Sequence, residues 1–333
     1  MIRIAIDAMG GDHAPQAVVA GVNQAIDSFM DIEIQLYGDP SQIKKYLTAQ
    51  ERVEIIATSQ VIEGEDEPVK AVRHKKDASM VVAARAVKEG QADALLSAGN
   101  TGALLTAGLL VVGRMKGIER PGLMPIIPTI NPESPQFILM DAGANAQSKP
   151  VYLHQYAILA NHYCQTVLQI EKPRIALLNN GTEVSKGDDL RKEAYALLSQ
   201  ERKIHFIGNI EAKDLLNGQA DIVITDGFTG NAVLKTLEGT AKGIFTLLKQ
   251  TLKAGNFKTK LGALLLKGQL KKMAYNFDDT RQGGAVLLGV NHPVIKAHGS
   301  ANDQAIYHAI EQARMMVLAR TIDRMRHAFQ QAD

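Results

Sequence analysis

Four short glycine-rich segments contain the residue types that could bind an anion. They read DAMGGD (7–12), SAGNTG (97–102), DAGAN (141–145) and TDGFTGN (225–231). In each, a run of aliphatic residues stops at a small polar or acidic residue, and the glycines that follow allow a sharp turn with positive φ. When such a turn opens a helix, its free N–H groups and the helix dipole favour a phosphate. Four such turns in one chain predict a shared phosphate-binding cleft.

The turns contain two sets of candidate residues. The predicted phosphate-binding residues are Gly10, Gly11, Ser97, Gly99, Asn100, Thr101, Gly102 and Asn145. The acidic residues of the turns are Asp7, Asp12, Asp141 and Asp226. Because a carboxylate repels phosphate, we expect these aspartates to support the turns, through helix capping or Asx-type hydrogen bonds. A magnesium site is an open alternative that no recognised spacing of ligands supports, and no cofactor is predicted.

Two further residues lie where a predicted strand gives way to a helix. Lys186 stands in a loop between Gly181 and Gly187. This setting favours a phosphate contact slightly over the alternative, a solvated loop lysine. His298 follows a predicted strand and precedes a capped helix. A structural histidine and a functional histidine are equally open at this position.

The composition is that of an ordinary globular protein and argues against several classes. Of 333 residues, 46% are hydrophobic and 22% are charged, a composition that argues against a disordered chain. The lone cysteine, Cys164, excludes an internal disulfide and is interpreted as a core residue. The first residues lack the apolar segment of a signal peptide and no run of 18 apolar residues occurs, so a cytoplasmic location is expected.

Sequence motifs also weaken several enzyme classes. A GxGxxG after a strand, a GxxxxGK[ST] and a GxSxG are all missing from the sequence. This weakens the interpretation as a dinucleotide-binding protein, a nucleoside triphosphatase or a serine hydrolase. No nucleic-acid partner is predicted.

Aliphatic runs alternate with helical patterns along the chain. The predicted strands are 2–6, 32–37, 53–57, 92–96, 124–129, 137–140, 174–178, 204–207, 222–225 and 294–297. The predicted helices include 14–30, 79–89, 101–116, 152–169, 189–201, 230–253 and 301–326. Nearly continuous aliphatic runs predict a parallel sheet covered on both faces, hence a Rossmann-like three-layer α/β/α sandwich, taken as one catalytic domain over 1–333. In such sheets ligands bind at the carboxyl ends of the strands, where all four turns lie.

Residues 239–277, here called the basic segment, differ from the rest of the chain in charge. They contain eight lysines and no Asp or Glu, whereas the formal net charge of the whole chain is only +2. The residues predicted to form a membrane or partner surface are Lys258, Leu261, Leu264, Leu265, Lys267, Lys271 and Lys272. A basic, apolar, amphipathic helical segment can attach to an anionic membrane or steer an acidic partner. An ordinary solvated helix face at a subunit contact is equally weighted, because the apolar residues do not all share one face.

Six motifs spread over residues 2–302 support a more specific interpretation. They are IAIDAMGGDHAP, SAGNTGALL, MDAGAN, GNIE, TDGFTGNAVLKT and GVNHPVIKAHGSAN. Together they resemble the PlsX family, bacterial acyl-[acyl-carrier-protein]:phosphate acyltransferases of phospholipid synthesis. The resemblance implies a homodimer with the fold of the isocitrate and isopropylmalate dehydrogenases and the phosphotransacetylases. It also implies that acyl carrier protein thioesters and orthophosphate give acyl phosphate, which the membrane glycerol-3-phosphate acyltransferase PlsY then uses.

The residues of the chain fit that reaction. Orthophosphate is largely dianionic near neutral pH and can attack a thioester without an enzyme nucleophile, in agreement with the lone cysteine. Binding then contributes most of the catalysis, by positioning the phosphate and by donating to the oxyanion that develops. We predict that amides of the glycine turns cradle the phosphate. Lys186 and Asn231 are predicted to neutralise charge or donate to the oxyanion, and His298 is the third catalytic candidate.

Two alternatives belong to different functional classes. A phosphotransacetylase-like enzyme would share the fold and the phosphate chemistry but use coenzyme A. A non-catalytic membrane-docking scaffold would explain the basic segment, yet it has no need for four phosphate-type turns. The favoured prediction is a cytoplasmic enzyme that associates peripherally with an anionic membrane and contacts PlsY transiently.

Overall fold

The computed structural model describes residues 1–49, 51–276 and 283–330. The strands within these ranges are β1 (Ile2–Asp7), β2 (Ile32–Gly38), β3 (Val53–Ala57), β4 (Ala94–Ser97), β5 (Gly122–Pro128), β6 (Gln136–Met140), β7 (Arg174–Asn179), β8 (His205–Glu211), β9 (Ile222–Ile224), β10 (Ala285–Leu288) and β11 (Val294–Lys296). The α-helices are α1 (Gln16–Ser28), α2 (Pro40–Ile43), α3 (Pro68–His74), α4 (Ser79–Lys88), α5 (Thr101–Ala107), α6 (Pro150–Thr166), α7 (Asp189–Gln200), α8 (Gly227–Ala254), α9 (Phe257–Asn276), α10 (Asp303–Leu318) and α11 (Thr321–Gln330).

The strands form one mixed sheet in the order β3-β2-β1-β4-β11-β10-β5-β6-β9-β7-β8. Strand β10 is antiparallel to both β11 and β5, and β5 is antiparallel to β6, whereas the other pairs are parallel. The prediction of a parallel sheet is therefore wrong for these strands. Two of the antiparallel pairs, β5 with β6 and β10 with β11, follow from the short connections between the paired strands, residues 129–135 and residues 289–293. A parallel pair needs a longer crossover.

Helices cover both faces of the sheet and confirm the predicted three-layer α/β/α architecture. In β1, Ile4 and Ile6 pack in one core cluster with α1, α6 and α10, whereas Ala5 packs in another with α4 and α5. Leu96 and Leu95 of β4 divide between the two clusters in the same way. Because successive side chains of a strand point to opposite faces, a strand buried on both faces is aliphatic throughout.

Each predicted strand corresponds to a strand of the structure, and β10 is the described strand that the prediction missed. The predicted helix 101–116 is α5 followed by a π-helix over Gly108–Gly113. The predicted helix 301–326 is two helices separated near Arg320, whose φ is 49°.

The basic segment comprises most of α8 and all of α9, which are separated at Gly255. Its last residue, Phe277, lies outside the described residues, and Lys271 and Lys272 belong to α9. Leu264 and Leu265 are both mostly exposed. The apolar residues of α9 are spread around the helix axis, so α9 does not present the single apolar face of an amphipathic helix.

Candidate active site

The turns after β1 and β4 are tied together by one buried carboxylate. Asp7 is 2% exposed and accepts hydrogen bonds from the Oγ atoms of Ser79 (2.6 Å) and Ser97 (2.7 Å). Burial raises the pKa of Asp7, and the hydrogen bonds oppose that rise. A Cβ atom at Gly10 would lie 2.4 Å from Asp7 Oδ2, so the turn after β1 needs glycine at this position. Asp7 therefore holds both turns in a fixed relation.

A second buried carboxylate, Asp141, organises the turn after β6. Its oxygens accept hydrogen bonds from the backbone N–H groups of Leu123 (2.9 Å), Ala144 (3.0 Å) and Asn145 (2.9 Å). Burial raises the pKa of Asp141, as it does for Asp7. The side-chain amide of Asn145 donates to Asp141 (3.0 Å) and to the Pro121 carbonyl (2.7 Å). The Asn145 side chain thus holds the turn together, and its role as a phosphate ligand stays a prediction.

The first turn of α8 packs directly on the Asp141 turn. Asp226 caps α8 by accepting a hydrogen bond from the Thr229 N–H (2.9 Å), and the Arg191 guanidinium donates to the same carboxylate. Burial raises the pKa of Asp226, but the hydrogen bonds and the nearby Arg191 charge outweigh burial and hold the pKa below its usual range. A Cβ atom at Gly230 would lie 1.9 Å from the Asp141 carbonyl oxygen, so only glycine permits this approach.

The turns border a cleft of about 680 Å³ between α8 and strands β5, β10 and β11. Thr101 reaches it from the turn after β4, Gly143 from the turn after β6, and Asn231 from the first turns of α8. Farther along α8 and along β5 the wall is mostly apolar, with Ile126, Ile127, Leu234, Leu237, Ile244 and Phe245. From Asn231 to Phe245 the helix advances about 21 Å at 1.5 Å per residue. The cleft therefore joins a polar region beside the glycine turns to a long apolar wall.

The turn after β1 borders the cleft without lining it. The backbone N–H of Asp12 donates to the carbonyl oxygen of Gly299 (2.8 Å), and Gly299 is a residue of the cleft wall. A Cβ atom at Gly11 would lie 3.0 Å from Ala98 Cβ and 3.1 Å from the Gly299 carbonyl. The segments after β1, β4 and β11 are therefore packed closely together beside the cleft.

The predicted site residues fall into three groups. Thr101, Asn231 and His298 line the cleft. Asn100 caps α5 through its side-chain oxygen, and the predicted glycines Gly10, Gly11, Gly99 and Gly102 lie in the bordering turns. Lys186 lies on an exposed loop after β7 and is not part of the described cleft wall. The catalytic and phosphate-binding roles of all these residues stay predictions.

His298 offers a hydrogen-bond donor to the cleft. Its Nδ1 lies 2.8 Å from Ser300 Oγ and accepts a hydrogen bond from the Ser300 backbone N–H (3.2 Å). A neutral imidazole that accepts at Nδ1 carries its proton on Nε2. The exposed ring therefore presents Nε2–H.

Lys296, the last residue of β11, is a cleft residue that the sequence prediction missed. It is 7% exposed, and its Nζ donates to the backbone carbonyls of Ala98 (3.3 Å) and Ala297. Burial lowers its pKa to about 8, although the charges of Asp7 and Asp12 raise it. In the sequence, Lys296 ends the aliphatic run VIK and looks like the solvated end of a strand. The run itself carried no signal that the side chain is buried beside the turns.

In residues 1–49, 51–276 and 283–330, no helix has the length and apolar character needed to cross a membrane. The same ranges contain no cluster of three or more His, Cys, Asp or Glu side chains that could hold a metal ion.

The fold is shared with solved structures of low sequence identity. A branched-chain phosphotransacylase from Enterococcus faecalis has a similar structure, with a TM-score of 0.61, 18% identity, and 95% of this chain and 99% of that chain covered. The sequence matches the family described as "Fatty acid synthesis protein" over residues 2–324.

Curated relatives are much closer in sequence. The phosphate acyltransferase of Streptococcus uberis is 59% identical over 329 residues, which are 99% of this chain and 98% of that protein. The phosphate acyltransferase of Streptococcus agalactiae is 56% identical over 329 residues, which are 99% of each chain. The chain belongs to the PlsX family and is a phosphate acyltransferase of fatty acid and phospholipid synthesis.

Proposed function

We propose that the enzyme transfers the acyl chain of an acyl carrier protein thioester to orthophosphate, giving acyl phosphate and the free carrier protein. The acyl phosphate then supplies the acylation of glycerol 3-phosphate in phospholipid synthesis. The observation that carries this proposal is the composition of the cleft, in which the glycine turns adjoin a long apolar wall. The glycine turns would bind a phosphate, and the apolar wall beside them would bind a fatty acyl chain.

The chemistry needs no nucleophile from the protein. An oxygen of the hydrogenphosphate dianion bonds to the thioester carbon, the carbon–sulfur bond breaks, and the departing thiolate takes up the proton that the phosphate carried. Negative charge on the carbonyl oxygen must be stabilised between these events, and Asn231 and His298 are cleft side chains that carry N–H donors. Cys164 is buried, and burial raises the pKa of its thiol, so it is unsuited to act as a nucleophile.

The apolar wall suits the acyl chain. Ile126 and Ile127 contribute to it from β5, and Leu237, Ile244 and Phe245 contribute from α8. Each methylene group removed from water contributes about 0.8 kcal/mol. A long acyl chain is therefore bound more tightly than a short one, and its thioester end is held beside the polar turns.

The basic segment is proposed as the surface that receives the larger partners. Acyl carrier protein is acidic and an anionic membrane is negatively charged, so exposed lysines such as Lys258 and Lys267 would attract either one. Exposed apolar side chains such as Leu261, Leu264 and Leu265 would add apolar contact. We propose peripheral attachment to an anionic membrane, transient contact with PlsY there, and a homodimer.

The substrate assignment is tested by supplying phosphate with either palmitoyl-acyl carrier protein or palmitoyl-coenzyme A and measuring the thiol released. We expect release from the carrier protein at the higher kcat/KM. Faster release from coenzyme A would instead support a phosphotransacetylase-like enzyme. Phe245→Ala, which shortens the apolar wall, should raise the KM for the long-chain substrate. Leu247→Ala is the matched control, because Leu247 is exposed on the same helix and does not line the cleft.

A further inference from the structure

Lys296 is a buried cation without a carboxylate partner among the described residues. Its Nζ donates to two backbone carbonyls, those of Ala98 and Ala297, and no ion pair of the described chain includes it. Asp7 lies near enough to influence Lys296, but its oxygens already accept from Ser79 and Ser97. A buried charge is unfavourable unless an opposite charge compensates it. No carboxylate of the described residues therefore compensates this charge through a direct ion pair.

The fold places this ammonium where the glycine turns meet. Lys296 pairs with Ser97 of β4 in parallel register and with Ala285 of β10 in antiparallel register. Its bond to the Ala98 carbonyl reaches the segment that continues as the turn after β4. An ammonium has three N–H donors, so two carbonyl acceptors leave one donor for a ligand. Lys296 also lines the cleft that contains Asn231 and His298.

We propose that the Lys296 ammonium binds the phosphoryl dianion in this cleft, first as orthophosphate and, after transfer, as the phosphoryl group of the acyl phosphate. This inference rests on the proposed function, because it names the protein's charged ligand for the nucleophile of that reaction. Lys296 remains an ammonium throughout. The bond that forms joins a phosphate oxygen to the acyl carbon, and the bond that breaks is the thioester carbon–sulfur bond.

The surroundings of Lys296 support this role and leave one simpler alternative, a structural lysine. The charged or titratable groups that face it are Asp7 and Asp12 beside β1, Lys235 and Glu238 of α8, and His298 after β11. The Glu238 carboxylate is paired with Lys235 (2.8 Å), so it does not compensate the charge of Lys296. A purely structural lysine would hold the Ala98 and Ala297 carbonyls without any response to phosphate. Response to phosphate is therefore the property to measure.

The test compares Lys296→Gln and Lys296→Arg with the wild-type enzyme. For Lys296→Gln we expect the KM for inorganic phosphate to rise about tenfold or more, because a hydrogen bond to a charged group is lost. The KM for acyl carrier protein thioester should stay within about twofold by the same reasoning, since its binding does not use the ammonium. Lys296→Arg should recover part of the phosphate affinity. Lys88→Gln, at an exposed position of α4, is the control for removing a lysine charge.

A second measurement does not depend on turnover or on the folding of a variant. Inorganic phosphate added to the wild-type protein should raise the pKa of Lys296, followed by NMR of labelled lysine side chains, because an anion stabilises the ammonium. An unchanged pKa at saturating phosphate, or an unchanged KM for phosphate in Lys296→Gln, overturns the inference. If phosphate shifts the Lys296 pKa but the protein releases no thiol from acyl carrier protein thioesters, the proposed function fails and the phosphate site stands.

Discussion

The lysines of the cleft and those of the basic segment show how strongly surroundings decide what one side-chain type can do. Lys296 is 7% exposed and donates to backbone carbonyls beside the glycine turns. Lys258 and Lys267 are exposed on α9, among exposed leucines. A buried charge interacts strongly with one anion at short range, whereas exposed charges act together and are screened by salt. We therefore expect the cleft to select a small ion and the basic segment to respond to the charge of a large surface.

The largest effect is expected at the lysines of α9. The combined variant Lys258→Gln, Lys267→Gln, Lys271→Gln and Lys272→Gln removes four positive charges from α9. Each lysine near an anionic membrane contributes about 1 kcal/mol, so the affinity for anionic vesicles should fall by about 4 kcal/mol. Flotation with vesicles that contain phosphatidylglycerol measures this loss. The kcat with saturating acyl carrier protein thioester should stay close to that of the unmodified enzyme.

The control for this variant removes the same number of charges elsewhere. Lys44, Lys45, Lys88 and Lys172 are exposed positions outside the basic segment, and their combined change to glutamine should leave flotation unaltered. Vesicle binding that persists in the α9 variant would contradict the membrane proposal. A higher KM for acyl carrier protein with unchanged flotation would instead assign the lysines to the acidic carrier.

The next largest effect is expected on stability, at the buried carboxylate that organises the turn after β6. Asp141→Ala removes the acceptor for the backbone N–H groups of Leu123, Ala144 and Asn145 and leaves them buried without it. We expect the free energy of unfolding to fall by about 3 kcal/mol, the scale of a broken buried polar network. Urea unfolding measures it. Glu193→Ala, at an exposed position of α7, should change it by less than about 0.5 kcal/mol, and an equally small effect of Asp141→Ala would refute the network role.

Much of the fold could be read from the sequence, because strands buried on both faces are aliphatic throughout. Ile4, Ala5 and Ile6 carry that signal clearly in β1. The direction of β5 and β10 could not be read from their composition, since a buried antiparallel strand has the same residue types as a parallel one. Only the short connections 129–135 and 289–293 indicate the antiparallel pairs. The missed β10, four residues beside two glycines, is too short to stand out.

The candidate site could be predicted from the sequence where the backbone of a turn requires a particular residue type. The glycine turns follow strands as expected. Gly10 and Gly230 are visible in the sequence because a Cβ atom at either position would collide with neighbouring polar atoms, so the turns require glycine there. Lys296 was not predictable, since nothing in the run VIK shows which neighbours surround its side chain. Lys186 is the converse case: its glycine-flanked loop predicts a phosphate contact, the loop is exposed and lies outside the described cleft wall, and the contact stays a prediction. Contacts between distant segments decide such cases.

A smaller effect follows from the pKa of Lys296, which burial lowers to about 8. If the ammonium binds phosphate, kcat/KM for phosphate should fall about tenfold per pH unit above pH 8, as the charged fraction declines. Asp7, Asp12, Lys235 and His298 face the same site, so the Lys296→Arg enzyme is the necessary comparison. Its guanidinium does not titrate in this range, and the fall should disappear. A profile shared by both enzymes would assign the titration to another group.

The same lowered pKa has a consequence for folding with a definite sign. The ordinary pKa of lysine is 10.5, so between pH 8 and 10.5 the unfolded chain binds more protons at Lys296 than the folded protein does. Stability contributed by this group must therefore rise with pH across that interval. Phosphate, which favours the ammonium, should reduce the slope, and urea unfolding with and without phosphate measures the difference.

The smallest effect tests whether anything covers the basic segment in solution. Leu265 is 78% exposed in the described chain, so Leu265→Ala should change the free energy of unfolding by less than about 0.5 kcal/mol if the surface is free. Leu139→Ala in β6, where the side chain is fully buried, should cost about 3 kcal/mol and serves as the reference. A cost near 1 kcal/mol at Leu265 that grows with protein concentration would show that a second copy of the chain covers α9, because only association makes stability depend on concentration. That outcome would support the homodimer and leave fewer apolar groups for a membrane. The measurement therefore distinguishes a second copy of the chain from a membrane as the partner of this surface.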